Sequence, residues 1–141
     1  EPIASDLIAL GKADIIISLE PMEALRYLPY LHKGGWLITN TVPFINISNY
    51  PEERKLMDAI QGLKHAVAID VDAIAKQVAS PRAANIVLLG AASPFIGIDV
   101  DKIEEGIRRI FGRKGEDIVE MNLKAFRAGL EHAHASIGQT K

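Results

Sequence analysis

Arg82 and Asn85 stand three residues apart in Ser80-Pro81-Arg82-Ala83-Ala84-Asn85-Ile86-Val87-Leu88-Leu89-Gly90, where two polar side chains precede a fully apolar run. On a helix that spacing puts a guanidinium and a carboxamide on one face. Near a helix N-terminus the pair can hold a carboxylate, a phosphate or a partner's backbone. Ser80 is a good N-cap, and Pro81 suits the first helical position because it has no N–H to lose there, so the spacing predicts a helix opening at Pro81. The alternative is structural. Helix N-termini bind anions readily but most often serve only their own caps, and the two residues then secure a loop or a subunit contact.

A second set of polar residues depends on the elements that must carry it. Asp14 to Leu19 (DIIISL) is a continuous β-branched run, the pattern of a strand buried on both faces, and Leu7 to Leu10 is expected to be a structured segment entering it. Glu20-Pro21 then opens a helix with Leu25, Leu28 and Leu31 as its apolar stripe. Lys33-Gly34-Gly35 breaks that helix, Trp36 to Thr39 forms a second strand, and a turn-rich connection from Pro43 to Pro51 precedes a helix over about 52–63. His65 to Ile69 reads as a third strand, closed by Asp70 and followed by a short helix from Asp72 to Ala79. Three βα units in succession imply a parallel sheet with right-handed crossovers. The predicted architecture is a three-layer, doubly wound α/β sandwich with helices on both faces.

In such a sheet ligands bind outside the carboxyl ends of the strands, so Ser18 and Glu20, Asn40 and Thr41, and Asp70 and Asp72 are the residues to inspect. Glu20 and Asp70 are equally placed to cap the helices that follow them. The remainder is helical. Ile86 to Phe95 is almost wholly apolar and predicts a buried central helix. In Asp101 to Phe111, Ile103, Ile107 and Ile110 stand at amphipathic spacing before Gly112. From Glu116 to about Ala135, Ile118, Met121, Leu123, Phe126 and Leu130 supply one apolar side of a helix long enough to reach beyond the domain body.

Several chemistries are disfavoured. The chain has no cysteine, so it forms no disulfide and supplies neither a thiolate nucleophile nor a cysteine ligand to an iron–sulfur cluster. No G-x-G-x-x-G or G-x-x-x-x-G-K-[ST] follows a strand, and no serine sits in a G-x-S-x-G elbow. His132 and His134, two apart on a helix, point to different faces, unlike an i, i+4 zinc pair, and are expected to be solvated; His32 is expected near a helix end and His65 at a strand start. Glu104, Glu105, Arg108 and Arg109 read as ion pairs on a solvated helix face. The 16 basic and 18 acidic residues are scattered, which gives no footprint for nucleic acid or an anionic membrane. No apolar run approaches the roughly 20 residues that span a bilayer. With 141 residues, 48% of them apolar, the chain is expected to be one cytoplasmic domain.

The order of motifs, ADIIISLEPMEALRYLPYL, GGWLITNT, AIDVDAIAKQVASPRAANIVLLGA and GEDIVEMNLKAFRAG, resembles the gamma-type domain of 2-oxoacid:ferredoxin oxidoreductases, from about Ala13 to Gly129. Within that family it is most similar to the beta-subunit type of the indolepyruvate enzymes. The resemblance implies an accessory subunit, itself without a catalytic residue. Its complex would oxidatively decarboxylate an aryl pyruvate to the aryl-acetyl thioester of coenzyme A and pass electrons to ferredoxin. It also implies that thiamine diphosphate and iron–sulfur clusters belong to a large partner subunit and not to this chain. The family usually begins with a strand and a G-x-G-G-Q-G turn followed by an Arg-Gly-Gly segment; neither is present, so residues 1–141 read as one domain lacking its N-terminal βα unit. On this reading Arg82 and Asn85 are the first candidates for an interface or ligand contact. Two other readings stand beside it: a free-standing nucleotide-binding module using Glu20, Asn40 and Asp70, and a dimerisation domain using the helix at Ile86 and the C-terminal helix.

Overall fold

The computed structural model describes residues 7–42 and 52–139. The predicted connection from Pro43 to Pro51 lies outside the described residues. Three parallel strands, β1 (Ala13–Ser18), β2 (Leu31–Asn40) and β3 (Ala66–Ile69), form one sheet in the order β1-β2-β3. Between them run α1 (Pro21–Arg26) and α2 (Glu53–Gln61); α3 (Val71–Val78), α4 (Ala84–Ile96), α5 (Val100–Phe111) and α6 (Glu116–Gln139) follow. No described helix is long and apolar enough to cross a membrane.

The register pairs Ile15 with Trp36 and Ile38 with Val67, so one face of the sheet presents these residues and Ile69 to α4. There they pack with Val87, Leu88, Ala91 and Ala92 in the main core. The alternate pleat buries Leu37. Right-handed crossovers between strands that advance in one direction put α1 and α2 together on that second face, and the two helices touch one another there. Helices therefore cover both faces, as the strand–helix alternation predicted.

Trp36 is stacked between two rings, His65 at 4.8 Å and Phe95 at 4.5 Å between centroids, which ties β2 to the start of β3's segment and the end of α4. The α4–α6 contact is made backbone to backbone. A Cβ at Gly90 would overlap the Phe126 carbonyl oxygen, and one at Gly129 the Val87 carbonyl oxygen. Beside this contact Phe126 and Leu123 of α6 join Ile107 of α5 in a second core cluster.

Several sequence expectations are corrected. The helix predicted through Leu31 ends at Arg26, and Leu28–Tyr30 forms a 3-10 turn from which β2 starts directly. Pro29 has no N–H and its ring excludes a continuing α-helix, so the chain turns. His32 consequently lies in β2, where its Nδ1 accepts from the Gly34 N–H at 3.1 Å. The β1–β2 register slips here, and Gly35 is required: a Cβ would stand 2.9 Å from the Asp14 carbonyl oxygen. Leu7 to Leu10 contains no regular strand or helix, and its leucines are exposed. Among the described residues β1 is the edge strand and is not buried on both faces, with Ile17 45% exposed. On α5 the buried stripe is Ile103, Ile107 and Phe111, while Ile110 faces outward at 72% exposure.

Candidate functional site

The polar residues at the strand ends are occupied by the fold. Glu20 caps α1, its Oε2 accepting from the Glu23 N–H at 2.9 Å, and the Ser18 hydroxyl donates to the Glu20 carbonyl at 2.6 Å. Asp70 caps α3 by accepting from the Ala73 N–H at 2.9 Å. Asn40 is 3% exposed. Its amide donates to the Leu19 carbonyl at 3.1 Å and the Val42 carbonyl at 3.5 Å, and its Oδ1 accepts from the Val71 N–H at 3.2 Å. One carboxamide thus joins the ends of β1 and β2 to the start of α3. Thr39, also buried, donates to the Asn40 carbonyl. Because β1, β2 and β3 advance without a reversal, the described strands form no switch point at which a ligand crevice would open.

Arg82 and Asn85 are brought together, with a local difference from the expected helix. Ser80 accepts from the Arg82 N–H at 3.3 Å and caps a 3-10 turn, Pro81–Ala83, and α4 begins at Ala84. Both side chains line one cavity of about 280 Å³, which also takes Ile86 from α4, Phe111 and Lys114 from the end of α5 and the following turn, and Ile118, Met121 and Asn122 from α6. Lys114 and Asn122 were not foreseen. The sequence signal for Lys114 is its place before Gly115, between two helical patterns, where the structure reverses the chain with a positive φ; Asn122 carried none. The Lys114 Nζ lies 5.9 Å from the Phe111 ring centroid, within cation–π range.

Two further expectations about charge are corrected. Arg109 and Glu105 pair at 2.8 Å as predicted for one helix face, but Glu104 pairs with Arg127 of α6 at 2.7 Å. That hydrogen bond to Glu104 raises the Arg127 pKa above its ordinary value. His132 is not solvated: its Nε2 lies 3.1 Å from the Ala68 carbonyl oxygen, so α6 contacts the outer edge of β3. His134 is exposed. Among the described residues no group of three His, Cys, Asp or Glu is placed to hold a metal ion.

A second and larger groove, about 830 Å³, runs along the outer edge of β1 and is lined by Ile15, Ile17, Leu19, Tyr27 and Tyr30 among others.

The family model described as pyruvate ferredoxin/flavodoxin oxidoreductase matches residues 1–132. The chain is 33% identical to the indolepyruvate oxidoreductase subunit IorB of Thermococcus kodakarensis, covering 98% of this chain and 72% of the relative. It is 35% identical to the subunit of the same name from Pyrococcus horikoshii, covering 87% and 64%. Among solved structures it is similar to a 2-oxoglutarate:ferredoxin oxidoreductase from Magnetococcus marinus with 2-oxoglutarate, coenzyme A and succinyl-CoA bound. That likeness has a TM-score of 0.65 at 25% identity and covers 94% of this chain but 22% of the other.

Proposed function

This chain belongs to the pyruvate ferredoxin/flavodoxin oxidoreductase family, and on that premise we propose that it is the accessory subunit of an indolepyruvate-type 2-oxoacid:ferredoxin oxidoreductase. The complex would decarboxylate an aryl pyruvate oxidatively, form the aryl-acetyl thioester of coenzyme A and pass two electrons to ferredoxin in the cytoplasm. The observation that carries the reading is the similarity along nearly the whole chain to relatives named as subunits of indolepyruvate oxidoreductase.

The cofactors of such a reaction do not fit this chain. Iron–sulfur clusters need thiolates, and there is no cysteine. A metal-bridged diphosphate needs oxygen ligands, and the strand-end carboxylates Glu20 and Asp70 already cap helices. As the family resemblance implies, thiamine diphosphate and the clusters would belong to the large partner subunit, and this chain acts by assembling with it. Arg82 and Asn85 are the first candidates for a contact in that assembly. The nucleotide-module reading has no such support, since Glu20, Asn40 and Asp70 are all engaged with backbone.

The same reading treats residues 1–141 as one domain whose sheet continues beyond β1 in a βα unit of the same polypeptide. Its support is the apolar groove along that edge. Co-expression of the full polypeptide with the large thiamine-carrying subunit tests the proposal. A stable complex that reduces a dye with indolepyruvate and coenzyme A is expected. Failure of the two chains to co-purify overturns the subunit assignment.

A further inference from the structure

We propose that the cavity between the Pro81–Ala83 turn, the end of α5 and the first turns of α6 captures the free C-terminal end of a partner polypeptide, one whose last residue is apolar. The inference concerns the chemistry of the contact, whichever chain supplies that end, and does not depend on the subunit reading.

The charge pattern comes first. Four ion pairs among the described residues engage Arg26, Lys55, Arg109 and Arg127. Arg82 and Lys114 are exposed and in none of them, yet both line the same cavity, whose lining contains no carboxylate. Glu116 and Asp117 open α6, but neither is part of that lining. Two cations at one cavity with no acid among its walls favour a carboxylate, which a guanidinium holds through two parallel hydrogen bonds.

The second observation is a buried polar group. Asn122 is 3% exposed. Its amide donates to the Ile118 carbonyl at 2.8 Å, and its Oδ1 accepts no hydrogen bond among the described residues. No wholly buried side-chain oxygen or nitrogen lacks a partner, so that Oδ1 opens onto the cavity its residue lines. An acceptor in an apolar recess selects an occupant that brings its own donor.

A carboxylate alone satisfies the cations and leaves the Asn122 oxygen unmatched. The end of a polypeptide meets both needs by its covalent structure, because the last residue carries a carboxylate and an amide N–H on the same Cα. An aspartate or glutamate inside a chain has its carboxylate on a side chain, and its N–H is spent in its own secondary structure. Phe111, Ile118 and Met121, all half-buried, give the terminal side chain apolar walls. A volume of about 280 Å³ stands at the small end of ligand sites and admits the end of a chain, not a run of it. Capture of a terminal carboxylate is a recurring mode of peptide recognition.

The test is an NMR titration of the ¹⁵N-labelled full polypeptide with the peptide acetyl-Gly-Ser-Leu as its free acid. Three further probes are its C-terminal amide, the free acid methylated on the leucine nitrogen, and an amidated peptide with aspartate in place of leucine. Saturable shifts with the free acid are expected at the Asn122 side-chain amide and at backbone amides of 82–86 and 112–122, with a Kd of about 1 mM or tighter. The amide should bind about tenfold more weakly, having lost the charge, and the N-methyl acid about fivefold, having lost the donor. The aspartate peptide should also lose about fivefold, since its acid and its N–H are farther apart. Arg82→Ala and Lys114→Ala, both at exposed positions, should each weaken the free acid about five- to tenfold, while Arg109→Ala leaves binding unchanged. The proposal is overturned by the absence of saturable shifts up to about 10 mM free acid, by indifference to Lys114→Ala, or by the amide or the N-methyl acid binding as well as the parent peptide. Equal binding of the aspartate peptide overturns it too, because the cavity would then take acidic side chains and not chain ends.

Discussion

The two edges of the sheet are built in opposite ways. β3 has four residues, and the carbonyl of Ala68 on its outer side meets His132 of α6, so a helix covers that edge and satisfies it. β1 is longer, six residues, and its outer side opens on an apolar groove with Ile17 and Leu19 exposed. Sheets that must end are shortened, charged or covered, because a bare apolar edge pairs with whatever strand it meets. The contrast teaches that, among the described residues, a helix closes the sheet at β3 while β1 keeps an open apolar side.

The comparison breaks most completely if α6 is moved. Gly129→Ala, or Gly90→Ala, pushes a methyl group into a facing carbonyl and separates α4 from α6, which withdraws His132 from β3. The expected cost is about 3 kcal/mol, read as a fall of about 10 °C in the midpoint of thermal unfolding by circular dichroism. A midpoint within error of the native one would refute the backbone-to-backbone crossing. Next comes Asn40→Leu, which leaves the Val71 N–H and the Leu19 carbonyl without their partner and loosens the strand ends at both edges. About 2 kcal/mol is expected from denaturant unfolding.

His132→Ala sharpens the comparison by opening the covered edge alone. The loss should be about 1 kcal/mol, with faster hydrogen exchange at the β3 amides and little change at β1; equal change at both would mean His132 acts through general packing. The smallest effect is expected at Ile17→Lys. Stability should shift by no more than about 0.5 kcal/mol because the residue is exposed. Self-association at high protein concentration should fall, since a charged side chain on an open edge opposes strand pairing. Light scattering decides it, and unaltered association would remove β1 as the adhesive edge.

What the residues disclosed follows the range of each interaction. The strands and α4 were legible because apolar periodicity and β-branched runs are local properties. The caps at Glu20, Asp70 and Ser80 were legible for the same reason, and all three accept from backbone N–H groups within the next three residues. The run DIIISL was misread as buried on both faces, because a β-branched run encodes apolar surroundings without saying which segment supplies them. Glu104 was assigned to its own helix, since i, i+4 spacing is visible in sequence and an Arg127 partner on another helix is not. For the candidate cavity, Arg82 and Asn85 could be paired by their spacing, whereas Lys114 and Asn122 reach it only through the α5–α6 reversal. The family was legible from motif order, and the match over residues 1–132 bears it out.

The ring stack at Trp36 has a practical consequence. The chain holds one tryptophan, so all indole emission comes from a single place, between His65 and Phe95 on the strand beside β1. The molecule thus carries its own optical gauge of sheet-to-helix packing, readable without a label. A red shift would register withdrawal of α4 from the sheet, and a strand added at β1 would be reported from the strand on β1's other side.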